Sequence, residues 1–231
     1  MTFPAHCRPA AYDFFRQQLP EIESTVGLFR AAFAIALHER PEANLAEAEF
    51  IVENLTETIR RRVPSGSRQA VLAHLHDVLF DIFGLRGNTE DYYNPANSYL
   101  PDVLSTHVGI PISLALIYKR VDEPLGIVTH GINAPGHFLV EVEPAAGESE
   151  RPMFVDPFFG GVILNEFEVS KRIEQASGRP LGPNSPRLSR ATHRQWLGRM
   201  LNNLLAAFAA KGHDREVCAM QELQSLLCRS A

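Results

Sequence analysis

Apolar side chains recur every three to four positions through both ends of the chain, while alternating and continuous short apolar runs are confined to its middle. That pattern predicts helices on either side of a small sheet. Ile22, Val26, Phe29, Phe33 and Leu37 fall on one face of a predicted helix, with Pro41 beyond its end. Asn44, with Glu47 three residues on, reads as the cap of a second helix that runs to about Arg62 and stops before Pro64. Ser67 precedes Val71, Leu75, Val78, Leu79 and Ile82, and Gly84 supplies the stop of a third. Thr192 to Cys228 reads as a helical hairpin broken at Gly212-His213-Asp214. Trp196, Leu201, Leu204 and Phe208 lie on one arm, and Val217, Met220, Leu223 and Leu227 on the other.

The middle of the chain changes period. Pro111 opens a helix at its first position, where a fixed φ and a missing N–H cost nothing, and Pro124 to Gly126 ends it. Ile112, Ala115, Leu116 and Lys119 form one stripe of that helix. Gly126–Ile132, His137–Glu143 and Met153–Asp156 are three predicted strands, with Asn133-Ala134-Pro135-Gly136 as a turn and Pro144–Pro152 as a polar hairpin loop. Phe158 to Gly161 is a close turn, Asn165 caps a helix through Ala176, and Gly178–Leu188 is a linker. Asn88 to Leu100 has turn formers and three tyrosines but no period, which predicts a structured loop before a short helix at Leu100–Ser105. The expectation is an α+β fold, mainly helical, with a small antiparallel sheet of about three strands and a C-terminal helical hairpin. Residues 1–180 form the expected main domain and 189–231 the hairpin packed on it.

Composition narrows the function. Across 231 residues, 45% are hydrophobic and 21% charged, the balance of a globular protein rather than a disordered one. A net charge of −5 gives no electrostatic reason to expect nucleic acid or an anionic membrane as partner. The run Arg60-Arg61-Arg62 reads as cations at a helix C-terminus. Cys7, Cys218 and Cys228 have neither disulfide nor metal spacing, and His74 and His76 have no partner four residues away, so neither metal nor cofactor is expected. No basic-then-apolar leader and no membrane-length apolar stretch stand out, which makes the cytoplasm the expected location.

His137 and Asp156 are the candidate chemistry. A helix, then a strand bearing His, then a strand bearing Asp is the order of a Cys-His-Asp hydrolase. There the helix N-terminus stabilises a thiolate, the His acts as base and the carboxylate orients it. Neighbouring antiparallel strands bring His137 and Asp156 together, yet the nucleophile position holds Pro111. Ser113 is the nearest substitute, but two residues turn a side chain by roughly 200° around a helix, and a hydroxyl there readily serves the backbone. Cys7 has no local support as a replacement. Tyr93, Asn97 and Tyr99 of the structured loop are candidate binding residues, or equally the groups that close the loop.

At these residues the chain resembles a known family. Gly109-x-Pro111-x-x-x-Ala115 and Leu125-Gly126-Ile127 are similar to the transglutaminase-like pattern with Pro in place of Cys; His137 and Asp156 match its His and Asp. Asn97-Ser98-Tyr99-Leu100, Pro135-Gly136-His137-Phe138-Leu139 and Asp156-Pro157-Phe158 look like the bacterial SirB-type branch, which also resembles a domain of some eukaryotic F-box proteins. The resemblance covers about residues 40 to 180. Asn203 to Phe208 with Gly212-His213-Asp214 looks like one degenerate tetratricopeptide-like repeat. It implies a pseudoenzyme, a binding or regulatory module that holds an unknown protein, a peptide or a small ligand in the old cleft around Pro111. The alternative is a hydrolase or acyl-transfer enzyme of altered chemistry, with His137 as general base and Asp156 orienting it. A scaffold acting through exposed Trp196 and Phe208 is a third.

Overall fold

A computed structural model describes residues 3–63, 67–145, 152–178 and 188–229. In chain order the helices are α1 (Pro9–Gln18), α2 (Thr25–Ala36), α3 (Leu45–Arg62), α4 (Arg68–His76), α5 (Leu100–Thr106), α6 (Pro111–Asp122), α7 (Glu166–Ser177), α8 (His193–Ala210) and α9 (Asp214–Arg229). A four-stranded antiparallel sheet has the order β1 (Thr129–Ala134), β2 (His137–Val142), β3 (Met153–Asp156), β4 (Val162–Leu164). The fold is α+β and mainly helical, with a small antiparallel sheet and a C-terminal helical hairpin. Contacts divide it into two compact units, one of Met1–Ile51, Asn88–Val108 and Thr192–Ala231, the other of Val52–Gly87 and Gly109–Ala191.

The first unit is all helical. In it α8 and α9 pair as the predicted hairpin, and α1 and α2 pair beside it, with α2 against α8 and α1 against α9. Trp196 and Phe208 are 1% and 2% exposed, so the hairpin spends its large apolar side chains on internal packing. The scaffold reading, which needs them at the surface, fails on that burial. Thr192 caps α8 by accepting the Gln195 N–H at 3.1 Å, while Gln195 Oε1 accepts the Thr192 N–H at 2.9 Å. Helix α1 is not anticipated by the sequence reading; Pro9 at its first turn starts it, and Ala11, Tyr12 and Phe15 supply its buried side.

The second unit is built around α6, in which every residue but Lys119 is buried. The predicted single stripe therefore understates it: both flanks are covered, by the sheet on one side and by other helices of the unit. Thr56 of α3 donates to Val121 O at 3.2 Å, and His76 of α4 meets the Tyr118 hydroxyl at 3.0 Å. Burial pushes the Tyr118 hydroxyl well up, and lowers the His76 imidazole so that it stays neutral. At the helix end, Lys119 Nζ donates to Thr129 O at 2.7 Å and Thr129 Oγ1 donates to Asp122 Oδ1 at 3.2 Å.

The sheet has one strand more than predicted, and its first strand starts later. Gly126 takes a left-handed φ of +79° after α6, so residues 126–128 form the turn and β1 begins at Thr129. Strand β4 follows the Gly160-Gly161 turn, with Asp156 opposite Val162. Beyond β1, residues just after the predicted linker continue the sheet: Ala191 N–H donates to Gly131 O at 2.7 Å and Asn133 N–H to Ser189 O at 3.4 Å. Residues 179–187 of that linker lie outside the described residues. All six residues of β2 are buried, because α6 lies on one face of the sheet and α7 on the other. On the α7 face Ile132, Ala134, Leu139, Phe154 and Leu164 meet Val169 and Ile173.

Pro135-Gly136 joins β1 to β2 as a two-residue turn, with Ala134 opposite His137. Gly136 has φ +71°, and a Cβ built there falls 2.6 Å from Ala176 O of α7. Turn strain and collision therefore add. Gly136→Ala is expected to lower the unfolding free energy by about 2–3 kcal/mol, read as a reduced urea midpoint at unchanged slope.

Candidate functional site

His137 and Asp156 meet. His137 Nε2 lies 2.9 Å from Asp156 Oδ2, with the two side chains 5% and 0% exposed. The register explains why. Val140 pairs with Val155, so continuing one step sets Asp156 beside Leu139 and leaves His137 as its diagonal neighbour on the same face. Asp156 is held from two other directions. Its Oδ1 accepts the Phe158 N–H at 3.2 Å, which forms the cap of the Pro157–Phe159 turn, and Arg172 Nη1 of α7 comes within 3.5 Å of Oδ2. The Arg172 guanidinium also lies 3.9 Å from the Phe159 ring centroid, and Phe158 and Phe159 both flank the imidazole at 6.1–6.2 Å.

A carboxylate only accepts, so the imidazole hydrogen sits on Nε2 and a neutral ring keeps its lone pair on Nδ1. Nδ1 has no hydrogen-bond partner among the described residues. The pair can thus take a proton or accept a hydrogen bond at Nδ1. Among the described residues no third His, Cys, Asp or Glu joins it within ligating range, so it is short of a metal site.

Pro111 is buried as the first residue of α6, in the same unit, and α6 packs on the Pro157–Phe159 turn that follows Asp156. Ser113, the proposed substitute nucleophile, is fully buried and works for the helix end: its Oγ donates to Ile110 O at 3.0 Å and accepts the Ile110 N–H at 3.2 Å. Its hydroxyl proton is committed to a carbonyl rather than offered to an imidazole. None of the three cysteines belongs to this unit. Cys7 is buried in the first unit, where burial and then the Glu222 carboxylate push its thiol up to about 12, far too basic for a nucleophile at neutral pH.

The loop candidates belong to the first unit. Asn97 Nδ2 donates to Asp91 O at 2.7 Å and Tyr92 O at 3.1 Å, and its Oδ1 accepts from Asn88 Nδ2 at 2.9 Å. Those bonds close the loop, the second of the two roles the sequence left open. Tyr99 is 1% exposed beneath the Arg40 guanidinium, whereas Tyr93 is 71% exposed.

Two basic residues of this unit, Arg172 beside the pair and Arg190 farther along the sheet, were missed from sequence. Arg172 sits three after Val169 and one before Ile173, so helical spacing alone puts it at the margin of α7's buried face. Arg190 reaches Glu141 Oε1 at 2.6 Å and Glu143 Oε1 at 2.7 Å across the sheet edge; no local pattern announces that contact. The His130 hydrogen bond, with Arg190 adding to it, holds the Glu143 carboxyl below the usual range.

A helix end, a His-bearing strand and an Asp-bearing strand in one unit invite comparison with known families. The family model of the transglutaminase-like superfamily matches residues 47–202. The chain belongs to that superfamily. It is similar to the UPF0162 protein of Xylella fastidiosa (strain 9a5c), 34% identical over 192 residues, 81% of this chain and 66% of the relative. It is also similar to the UPF0162 protein of Vibrio cholerae, 26% over 137 residues, 59% of this chain and 50% of the relative. Human F-box only protein 21 is 32% identical over 149 residues, 63% of this chain and 23% of that protein. The chain thus spans just under two thirds of the length of the Xylella relative. No solved structure matches it.

Within this superfamily member the pair is part of the fold as well as of the site. Asp156→Ala takes the shared acceptor from the His137 Nε2–H and the Phe158 N–H at a buried point, and the carboxylate from Arg172. It is expected to cost about 3–5 kcal/mol. Asp156→Asn, which keeps an acceptor, should cost less; chemical denaturation of both variants checks the order.

Proposed function

We propose that this protein is a non-catalytic member of its superfamily, a pseudoenzyme that uses the surroundings of the His137–Asp156 pair to hold an apolar peptide segment of a partner protein. The observation that carries it is the start of α6: Pro111 stands where the superfamily pattern has its cysteine, and the nearest hydroxyl, Ser113, is bonded to the Ile110 backbone. A base and its orienting carboxylate remain, and none of the three cysteines belongs to their unit. What supports a peptide is the strip next to the pair. Phe159, Val162, Ile163 and Phe167 are each at least 45% exposed within nine residues, and β4 is the outer strand of the sheet order. Exposed apolar groups concentrated on a sheet edge favour an extended chain whose backbone adds to the strand.

By the same motifs the chain is read as SirB-type. Its α8–α9 hairpin is read as a degenerate tetratricopeptide-like unit appended, at residues 189–231, to a transglutaminase-like region at 1–180. That division concerns ancestry, while the compact units concern packing. The free thiols of Cys7, Cys218 and Cys228 support a reducing, cytoplasmic setting. Among the described residues no helix is long and apolar enough to cross a membrane.

The test has two arms. Peptide-array binding followed by titration is expected to yield apolar peptides whose affinity falls about tenfold or more with Phe159→Ala, roughly 1.4 kcal/mol. Incubation with amide and glutamine-donor substrates is expected to show no turnover. Amide hydrolysis or acyl transfer that disappears in His137→Ala would overturn the reading in favour of the altered-chemistry enzyme.

A further inference from the structure

The N-terminal segment of the first unit is tied down in an unusual way. Four successive backbone N–H groups, from Ala5 to Arg8, are taken by two side chains. Glu222 of α9 accepts Ala5 at 2.8 Å, His6 at 3.2 and 3.3 Å, and Cys7 at 2.8 Å; His38, just after α2, accepts Arg8 N–H on Nδ1 at 3.2 Å. Arg8 Nε also donates to His38 O at 2.6 Å. Within this strap Cys7 is buried at 3% exposure.

The direction of the Arg8–His38 bond settles the ring's protonation state. An Nδ1 that accepts has no hydrogen, so the hydrogen of the neutral ring is on Nε2. Nε2 is buried without a hydrogen-bond partner and faces Glu39 Oε1 at 3.7 Å, with a Glu216 oxygen in the same cluster, all within 4.8 Å. Those three residues have the composition of a metal site, but a metal on Nε2 would send the hydrogen to Nδ1, directly against the Arg8 N–H. The tautomer argues against a metal there. It also means that a second proton can enter this ring at one place only, the nitrogen that holds the strap.

We infer that Ala5–Arg8 is a proton-released strap, in which charging His38 breaks the Arg8 contact and frees the segment that carries Cys7. Closed strap and imidazolium exclude each other. The charged groups that face the ring are Arg8 of the strap and Arg215 of α9, which oppose protonation, and Glu39 beside it and Glu216 of α9, which favour it. Burial outweighs them all and lowers the imidazole's affinity for protons below its ordinary value. A group whose proton affinity is lower when closed binds more protons when open. Its contribution to closure is therefore complete above about pH 6.5 and is lost as pH falls below that value.

Amide exchange of residues 5–12 in the full chain tests this, corrected for intrinsic rates, with α8 as internal reference. Between pH 7.5 and 5.0 the opening constant is expected to rise by up to about 30-fold, tenfold for each pH unit below 6.5. Alkylation of Cys7 should accelerate relative to an unfolded control over the same range. His38→Asn keeps an acceptor near the position of Nδ1 without titrating and is expected to hold the strap shut at both pH values. Glu222→Gln should loosen it at both. A pH-independent opening constant in the wild type overturns the inference, as does the same rise in His38→Asn. Should His38→Asn not fold, the wild-type curve decides: a rise that begins only below about pH 4.5 belongs to carboxylates and rejects His38.

Discussion

Everything in the second unit is arranged to bury α6 on all sides. A helix with eleven of its twelve residues buried cannot choose its orientation by hiding one apolar stripe. Its polar groups choose instead. Ser113 must satisfy the first turn internally, Tyr118 must meet His76, and Asp122 must find Thr129. Asp122 is fully buried, and burial raises its carboxyl well above the usual range, against the lowering effect of the Thr129 hydrogen bond and of Lys119. Each bond is worth little net, but leaving any one unmade in that interior costs about 1–3 kcal/mol. These bonds fix where the helix begins, and hence what kind of residue can stand at its first turn.

Proline suits that turn for reasons that oppose a thiolate's. An anion at a helix N-terminus draws on unpaired N–H groups and the macrodipole, and needs access to substrate. A buried proline removes one of those N–H groups, carries no charge and gains by being covered. Under the reading proposed here, the same position has passed from an electrostatic role to a packing one without disturbing the polar bonds that locate α6.

The parts of this architecture that follow from local rules were visible in the sequence. Asn165 accepts the Phe167 and Glu168 N–H groups at 3.0 Å each, and Gly178 ends α7 with a left-handed φ, as its residue types announce. His137 and Asp156 were legible as a pair because both lie at the same end of strands bounded by strong turn signals. What escaped depends on distant partners. The start of β1 is set by pairing with β2, which overrides the apolar run Ile127-Val128. A three-residue β4 after two glycines is too short to show a period, and it exists because β3 offers it a ladder. Helix α1 mixes Asp, Arg and Gln with its apolar residues, and only its neighbours select the face of Tyr12 and Phe15. In the loop, the residue types were right for either binding or closure; the Asn97 bonds to Asn88, Asp91 and Tyr92 hold the loop together, and spacing does not foretell them.

On the proposed reading, the His137–Asp156 pair and a cysteine at the Pro111 position differ in what their removal does to the fold. Asp156 takes a hydrogen bond from His137, another from the Phe158 backbone and a charge contact from Arg172, so it joins β2, β3, the following turn and α7 at one buried point. Deleting it would take the shared acceptor from His137 and the Phe158 N–H at that buried point, whereas on the proposed reading a proline in place of a cysteine at the head of α6 gives up only an N–H that lacks an intrahelical partner anyway. A His–Asp pair can therefore persist on structural grounds alone, and its presence is not by itself a sign of turnover. The feature that structure does not require is the unbonded Nδ1 of His137: a purely architectural histidine gains by pairing both nitrogens, and this one keeps its second nitrogen unused beside an exposed Phe159. That nitrogen bears on the rival reading, the altered-chemistry enzyme, whereas the proposed function rests on the start of α6.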